Sequence, residues 1–156
     1  MSRYPVTYYR SDEELLNVIS HFLGLVLSIG GLVLLVVYAS LHGTVWHIIS
    51  FSIFGVSMVT LYLASTLYHY AKGKTIRRKL NLFDHSAIYV LIAGTYTPYC
   101  LVGLNRTTGW ILFGITWGLA ISGIIIKLFY REKYSRISTV GYVLMGLIII
   151  KPTQPI

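Results

Sequence analysis

Residues 18–39 read VISHFLGLVLSIGGLVLLVVYA, a run of 22 positions without one Asp, Glu, Lys or Arg. A hydrocarbon core about 30 Å thick needs about 20 apolar helical residues, so this run is long enough to cross a bilayer. Three further runs meet the same demand: Trp46–Tyr70, Ser86–Leu104 and Gly109–Phe129. A fifth, Ile137–Ile150, is apolar but short, and spans only marginally or with a tilt. Closed β-barrels use roughly ten-residue segments of alternating polarity, whereas these runs are continuous. The expected fold is therefore all-α: a polytopic transmembrane bundle forming a single membrane domain over residues 1–156. With 55% apolar and only 12% charged residues, the composition excludes a soluble domain.

The first run exceeds a signal-peptide core in length and lacks a small-residue cleavage pattern, so it reads as a retained helix. Ahead of it, Ser11-Asp12-Glu13-Glu14 has the form of a capping box, which assigns Glu13 and Glu14 to helix-start chemistry rather than to ligand duty. Lys and Arg accumulate in short cytoplasmic loops, and the two sides of this chain differ strongly. With the N-terminus inside, eleven of the 13 basic residues lie on the inner side, and only Arg106 and Lys151 lie outside. The formal charge of +8 is then mostly a topological signal and an attraction to anionic lipid headgroups. No nucleic-acid partner is expected, because the charges sit in juxtamembrane loops rather than on a soluble basic face.

On that topology the polar residues fall at one level. His21 lies one turn into the first span, His69 in the last turn of the second, and Asp84-His85 at the opening of the third. His42 and His47 flank the opposite connection. An ionisable group near hydrocarbon needs a partner, which makes Asp84 the residue that most asks for a site. Asn17 and His21 are four apart, as are Ser65 and His69, so each pair shares a helix face, with a polar neighbour able to orient an imidazole. Structural readings stand beside each of these. Asp84 reads equally as an N-cap of the third helix with Arg78 and Lys79 as charge partners, His69 as an interfacial ring between Tyr68 and Tyr70, and His21 with Asn17 as an interhelical hydrogen bond. Gly114 and Gly118 form a GxxxG that marks close packing, Pro98 marks a kink, and the lone Cys100 gives no internal disulfide.

Ser65-Thr66-Leu67-Tyr68-His69, Asp84-His85 and Leu91-Ile92-Ala93-Gly94-Thr95-Tyr96-Thr97-Pro98 occur in an order that resembles the hemolysin III family. That family is the bacterial branch of the progestin and adipoQ receptor group, more distantly similar to alkaline ceramidases. The resemblance runs from Glu14, Asn17 and His21 to Lys127. It implies that His69 is a zinc ligand with Ser65 one turn earlier, and that Asp84 lies beside the metal-bound water. His21 and His85 stand as further candidate ligands. The family pattern has seven helices and closes its zinc site with a His-x3-His pair on the last. No histidine follows position 85 here, so the chain reads as truncated, and completion requires His21, His85 or a second copy of the chain.

The function so implied is a zinc-dependent hydrolase of a lipid amide or ester in the cytoplasmic membrane, with Asp84 activating water and Ser65 orienting His69 or donating to the oxyanion. Its partner is a membrane lipid, and a homo-oligomer is a further expectation. Two other classes compete: a membrane-active cytolysin or pore former, and a receptor-like lipid sensor with a structural metal.

Overall fold

The computed structural model describes residues 8–129 and 135–147, and every regular element among them is helical. The helices are α1 (Ser11–His42), α2 (Val45–Tyr70), α3 (Lys74–Pro98), α4 (Arg106–Phe129) and α5 (Ser135–Leu147), with a π-helical turn, Tyr99–Gly103, continuing α3. The first four are long and apolar enough to cross a membrane, α3 together with its π turn. Successive helices pack side by side, α1 on α2, α2 on α3 and α3 on α4, while α5 rests on both α3 and α4. Short connections such as Gly43-Thr44 and Ala71-Lys72-Gly73 make the neighbours antiparallel. Local chemistry fixes their ends. The Thr44 N–H donates to His47 Nδ1 at 3.1 Å at the start of α2, and the Thr108 N–H donates to Asn105 Oδ1 at 2.9 Å at the start of α4.

Burial is inverted relative to a soluble protein. The interior holds small residues, among them Ala64, Ala93, Ser50, Ser57, Thr97 and Thr116, while Leu27 and Leu34 stand 74% and 72% exposed on the outer face of α1. In lipid, Leu gains little by leaving the surface, so helices associate through close backbone approach at small side chains. Gly94 shows the tightness of these seams: a Cβ there would stand 2.8 Å from Ser57 Cβ. A Cβ at Gly55 would stand 2.9 Å from Leu32 Cβ. The buried hydroxyls close on their own helices, Ser57 to the Phe54 carbonyl at 2.6 Å and Thr97 to the Ala93 carbonyl at 2.9 Å. These two hydroxyls thereby present no free donor to hydrocarbon.

The Gly94–Pro98 segment has a structural task at almost every position. Gly94 admits α2, the Thr97 hydroxyl receives the Trp117 indole N–H of α4 at 3.1 Å, and the Tyr96 hydroxyl donates to the Met145 and Gly146 carbonyls of α5 at 2.8 and 3.0 Å. Pro98 removes a backbone donor, and the helix answers with the π turn rather than ending. By contrast, a Cβ at Gly114 or Gly118 would meet nothing within 4 Å, so the GxxxG of α4 makes no close contact among the described residues.

Two expectations about helix ends are corrected. The third helix begins at Lys74, not Ser86, so Asp84 and His85 lie well inside α3 and Asp84 is no N-cap. The apolar run concealed this because the stretch from Lys74 to His85 is amphipathic and rich in helix-forming Lys, Arg and Leu. Helix α1 begins at Ser11, with Arg10 as its N-cap and no side-chain cap hydrogen bond, so the capping box is not formed, while Glu14 Oε1 accepts the Tyr9 N–H just ahead of the helix at 3.2 Å. The fifth helix is described over Ser135–Leu147, and the expected residues 148–150 lie outside the described residues.

Gly94→Ala is expected to lower the thermal midpoint of the detergent-purified protein by an overpacking cost of about 1–3 kcal/mol. Gly114→Ala, made in open space on a helix, should leave the midpoint unchanged or raise it slightly. Equal midpoints for the two variants would remove the α2–α3 seam from its place in the packing.

Candidate functional site

The ionisable side chains gather where α1 begins, α2 ends and α3 runs through its first three turns, in two layers. The outer layer is built on Arg77, whose side chain is only 2% exposed. Its Nη2 donates to Glu14 Oε1, and its Nη1 donates to the Ala71 carbonyl at 3.2 Å and reaches the Tyr68 and His69 carbonyls at 3.4 Å. The guanidinium carbon lies 4.8 Å from the Tyr8 ring centre and 4.7 Å from that of Tyr68. One cation therefore satisfies the last carbonyls of α2, complements the negative end of that helix, pairs with α1, and is sheathed by aromatic faces.

Glu14 uses its second oxygen on His69: Oε2 lies 2.8 Å from Nδ1. A carboxylate accepts, so Nδ1 carries a proton, and in the neutral ring Nε2 is then the nitrogen with the lone pair. The His69 side chain is 11% exposed and stacks on His21, ring centres 5.5 Å apart and planes 8° from parallel. Sequence reasoning set Glu14 aside as helix-start chemistry and counted Arg77 only as a topological charge. A signal was present for Glu14, which shares a helix face with Asn17 and His21 by spacings of three and four. None marked Arg77, because its role depends on where α2 ends.

The inner layer lies one to two turns deeper. The Ser65 hydroxyl donates to Asp84 Oδ1, and the Asp84 side chain is 15% exposed. Ser65 thus orients Asp84 and not His69, whose orienting partner is Glu14. Arg78 and Lys79 make no ion pair with Asp84; on its other side stands the α4–α5 contact in which Lys127 Nζ donates to Tyr142 Oη at 3.2 Å and Tyr142 Oη donates to the His85 carbonyl at 2.8 Å. His85 is not brought to His69. Its Nδ1 donates to the Asn81 carbonyl of its own helix at 2.8 Å, sits 3.7 Å from Asp84 Oδ2, and belongs to a side chain 42% exposed. His42 and His47 lie at the far end of α1 and the near end of α2, as expected.

Among the described residues, no three His, Cys, Asp or Glu side chains converge as metal ligands. The donors fit part of a zinc site and not a whole one. His69 has the carboxylate-held imidazole that metal-binding histidines use, whereas His21 stacks against it instead of pointing to a shared centre. Beside this cluster a cavity of about 530 Å³ opens at the bundle end, with Glu14, His69 and Arg77 on its polar side and Leu15 and Val18 on its apolar side.

A family model described as "Haemolysin-III related" matches residues 9–156. The chain is 45% identical over 144 residues to "Hemolysin-3" of Bacillus cereus, covering 92% of this chain and 66% of that protein. It is 47% identical to the "Hemolysin-3 homolog" of Bacillus subtilis (strain 168), covering 92% and 68%. The human "Monocyte to macrophage differentiation factor" is 29% identical over 153 residues, with 92% and 60% covered. The chain thus spans about two thirds of the length of its bacterial relatives. No solved structure matches it.

Glu14→Gln leaves Arg77 buried without its counter-charge, and such a change is expected to cost about 3–5 kcal/mol. The double variant Glu14→Gln/Arg77→Met should be less destabilised than the sum of the single changes, a coupling that a thermal-unfolding double-mutant cycle reads directly. Additive effects would mean that the pair is not a unit.

Proposed function

Because the chain belongs to the hemolysin III family and is a multi-pass protein of the cell membrane, we propose that its polar end is the hydrolytic site for a membrane lipid, cleaving an amide or ester bond with zinc as cofactor and with the basic end of the bundle on the cytoplasmic side. The observation that carries this reading is the hydrogen bond from Ser65 to Asp84, a carboxylate held by a hydroxyl inside a membrane-spanning bundle. A carboxylate at that depth needs a use or a partner, and a neutral hydroxyl orients it without removing its basicity as an arginine would.

In this mechanism Asp84 takes a proton from the water that adds to the lipid carbonyl, and later returns it to the departing amine or alkoxide. Ser65 keeps the accepting oxygen in place through that exchange. His69 offers Nε2 as the metal-binding nitrogen, and Glu14 fixes its tautomer and ring plane through Nδ1. When bound, zinc supplies acidification of the water and polarisation of the carbonyl. His21, stacked on His69, is the nearest additional imidazole. A lipid reaches this site from the side, because the helices around it expose apolar surface to the bilayer.

A second reading, a lytic pore, is favoured by the name carried by the Bacillus cereus relative, "Hemolysin-3". A water-filled path needs polar side chains through the full depth of the bilayer, and the ionisable cluster lies at one end. An oligomer would have to supply the remainder.

Reconstitution in vesicles with fluorescent amide- and ester-linked lipids tests the choice. Asp84→Asn should reduce turnover by about 10²-fold or more, and Ser65→Ala by less, with the fold of both retained. Elemental analysis of the purified protein reads the metal directly, and zinc held through His69 should be lost in His69→Ala. Unchanged turnover in Asp84→Asn would remove the hydrolytic role, and dye release that persists in His69→Ala would favour the pore.

A further inference from the structure

The cavity beside Glu14 and His69 has a wall that the hydrolytic reading does not use. Ala71 and Lys72 of the connection between α2 and α3 line it together with Ser11 at the start of α1. The formal charges around it do not cancel. Glu14 is matched by the Arg77 guanidinium, which is also committed to the end of α2, whereas exposed Lys72 makes no ion pair or hydrogen bond among the described residues. The excess cation stands beside two tyrosines, Tyr8 and Tyr70, whose rings suit the headgroup level of a membrane.

The apolar side of the same cavity leads outward. Leu15 lines it and is 59% exposed, and Ile19 and Phe22 continue the stripe along α1 at 47% and 52% exposure. Spacings of four and three place these side chains on one face of the helix, so the stripe runs from the cavity into the depth of the bilayer. A site with a cation and a hydroxyl at its head and an unbroken apolar track below it matches an amphiphile with an anionic head. A volume of about 530 Å³ holds a headgroup, and the acyl chains would lie outside on the track.

We propose that this cavity is a headgroup site for an anionic phospholipid, its phosphodiester paired with Lys72 and the Ser11 hydroxyl and its chains laid along Leu15, Ile19 and Phe22. A zwitterionic choline lipid brings its own cation toward Lys72 and Arg77 and is disfavoured there. The site names the class of lipid held beside His69. It rests on the hydrolytic reading only for that lipid's being a substrate, and the binding itself requires no turnover.

The test is thermal unfolding of the detergent-purified chain titrated with phosphatidylglycerol, with phosphatidylcholine of the same chains, and with inorganic phosphate. Phosphatidylglycerol should raise the midpoint, with a half-saturating concentration about fivefold higher in Lys72→Gln, the loss of one lysine–headgroup contact. Lys74→Gln, two residues on at the exposed start of α3 and outside the cavity lining, should leave that concentration unchanged. The proposal is overturned if phosphatidylcholine stabilises equally, if Lys74→Gln weakens the effect as much as Lys72→Gln does, or if inorganic phosphate alone matches the lipid. Asp84→Asn should bind phosphatidylglycerol normally. Retained turnover in that variant therefore sinks the hydrolytic reading and leaves the headgroup site standing.

Discussion

The Arg77 guanidinium is the group on which this end of the protein depends. It is almost fully removed from solvent at the meeting of three helices, where it donates to the last carbonyls of α2 and to the Glu14 carboxylate of α1 and lies against the faces of two tyrosines. Each of these partners would be costly to bury alone. Together they make the end of α2 a junction that ties α1 and α3 to it. The position of His69 follows from that junction, because the Glu14 oxygen left over from Arg77 is the one that holds its imidazole.

Below the junction, the bundle is held by closeness rather than by bulk. Gly94 against Ser57 and Gly55 against Leu32 bring helix backbones together, and the large aliphatic residues are turned to lipid. The cavity of about 530 Å³ at the polar end is lined by tyrosines and charged residues, whereas the cavity of about 330 Å³ beside Ser57 and Trp117 carries no ionisable side chain. The Tyr96 hydroxyl, bonded to two carbonyls of α5, adds that helix to the same scaffold and sets Tyr142 beside His85 and Lys127.

Much of the site was legible residue by residue. Ser65, His69 and Asp84 stood out because polar groups in apolar runs carry an energetic demand, and their positions near span ends put them at one level. Their pairing was not legible. Spacing placed Ser65 one turn from His69 and made it the natural orienter, yet a hydroxyl on that face reaches across the seam to Asp84 once α2 and α3 touch at Gly94 and Ser57. Glu14 was read as a helix cap because the local motif had the right letters, and the competing attraction of a distant arginine has no local signature. The GxxxG of α4 misled for the same reason, since a small-residue pattern states what a face permits and not what lies against it.

Composition and apolar run length by themselves determined the all-helical, membrane-spanning architecture, because a bilayer leaves a chain few ways to satisfy its backbone. The placement of charge also marked the end of the bundle at which ionisable side chains gather. The tertiary structure alone decided where α3 begins, which carboxylate orients which partner, and that Arg77 is a buried keystone rather than a surface charge. Those outcomes depend on contacts between residues 19 to 63 positions apart, such as Ser65 with Asp84 and His69 and Arg77 with Glu14, and periodicity carries no information about contacts of that kind.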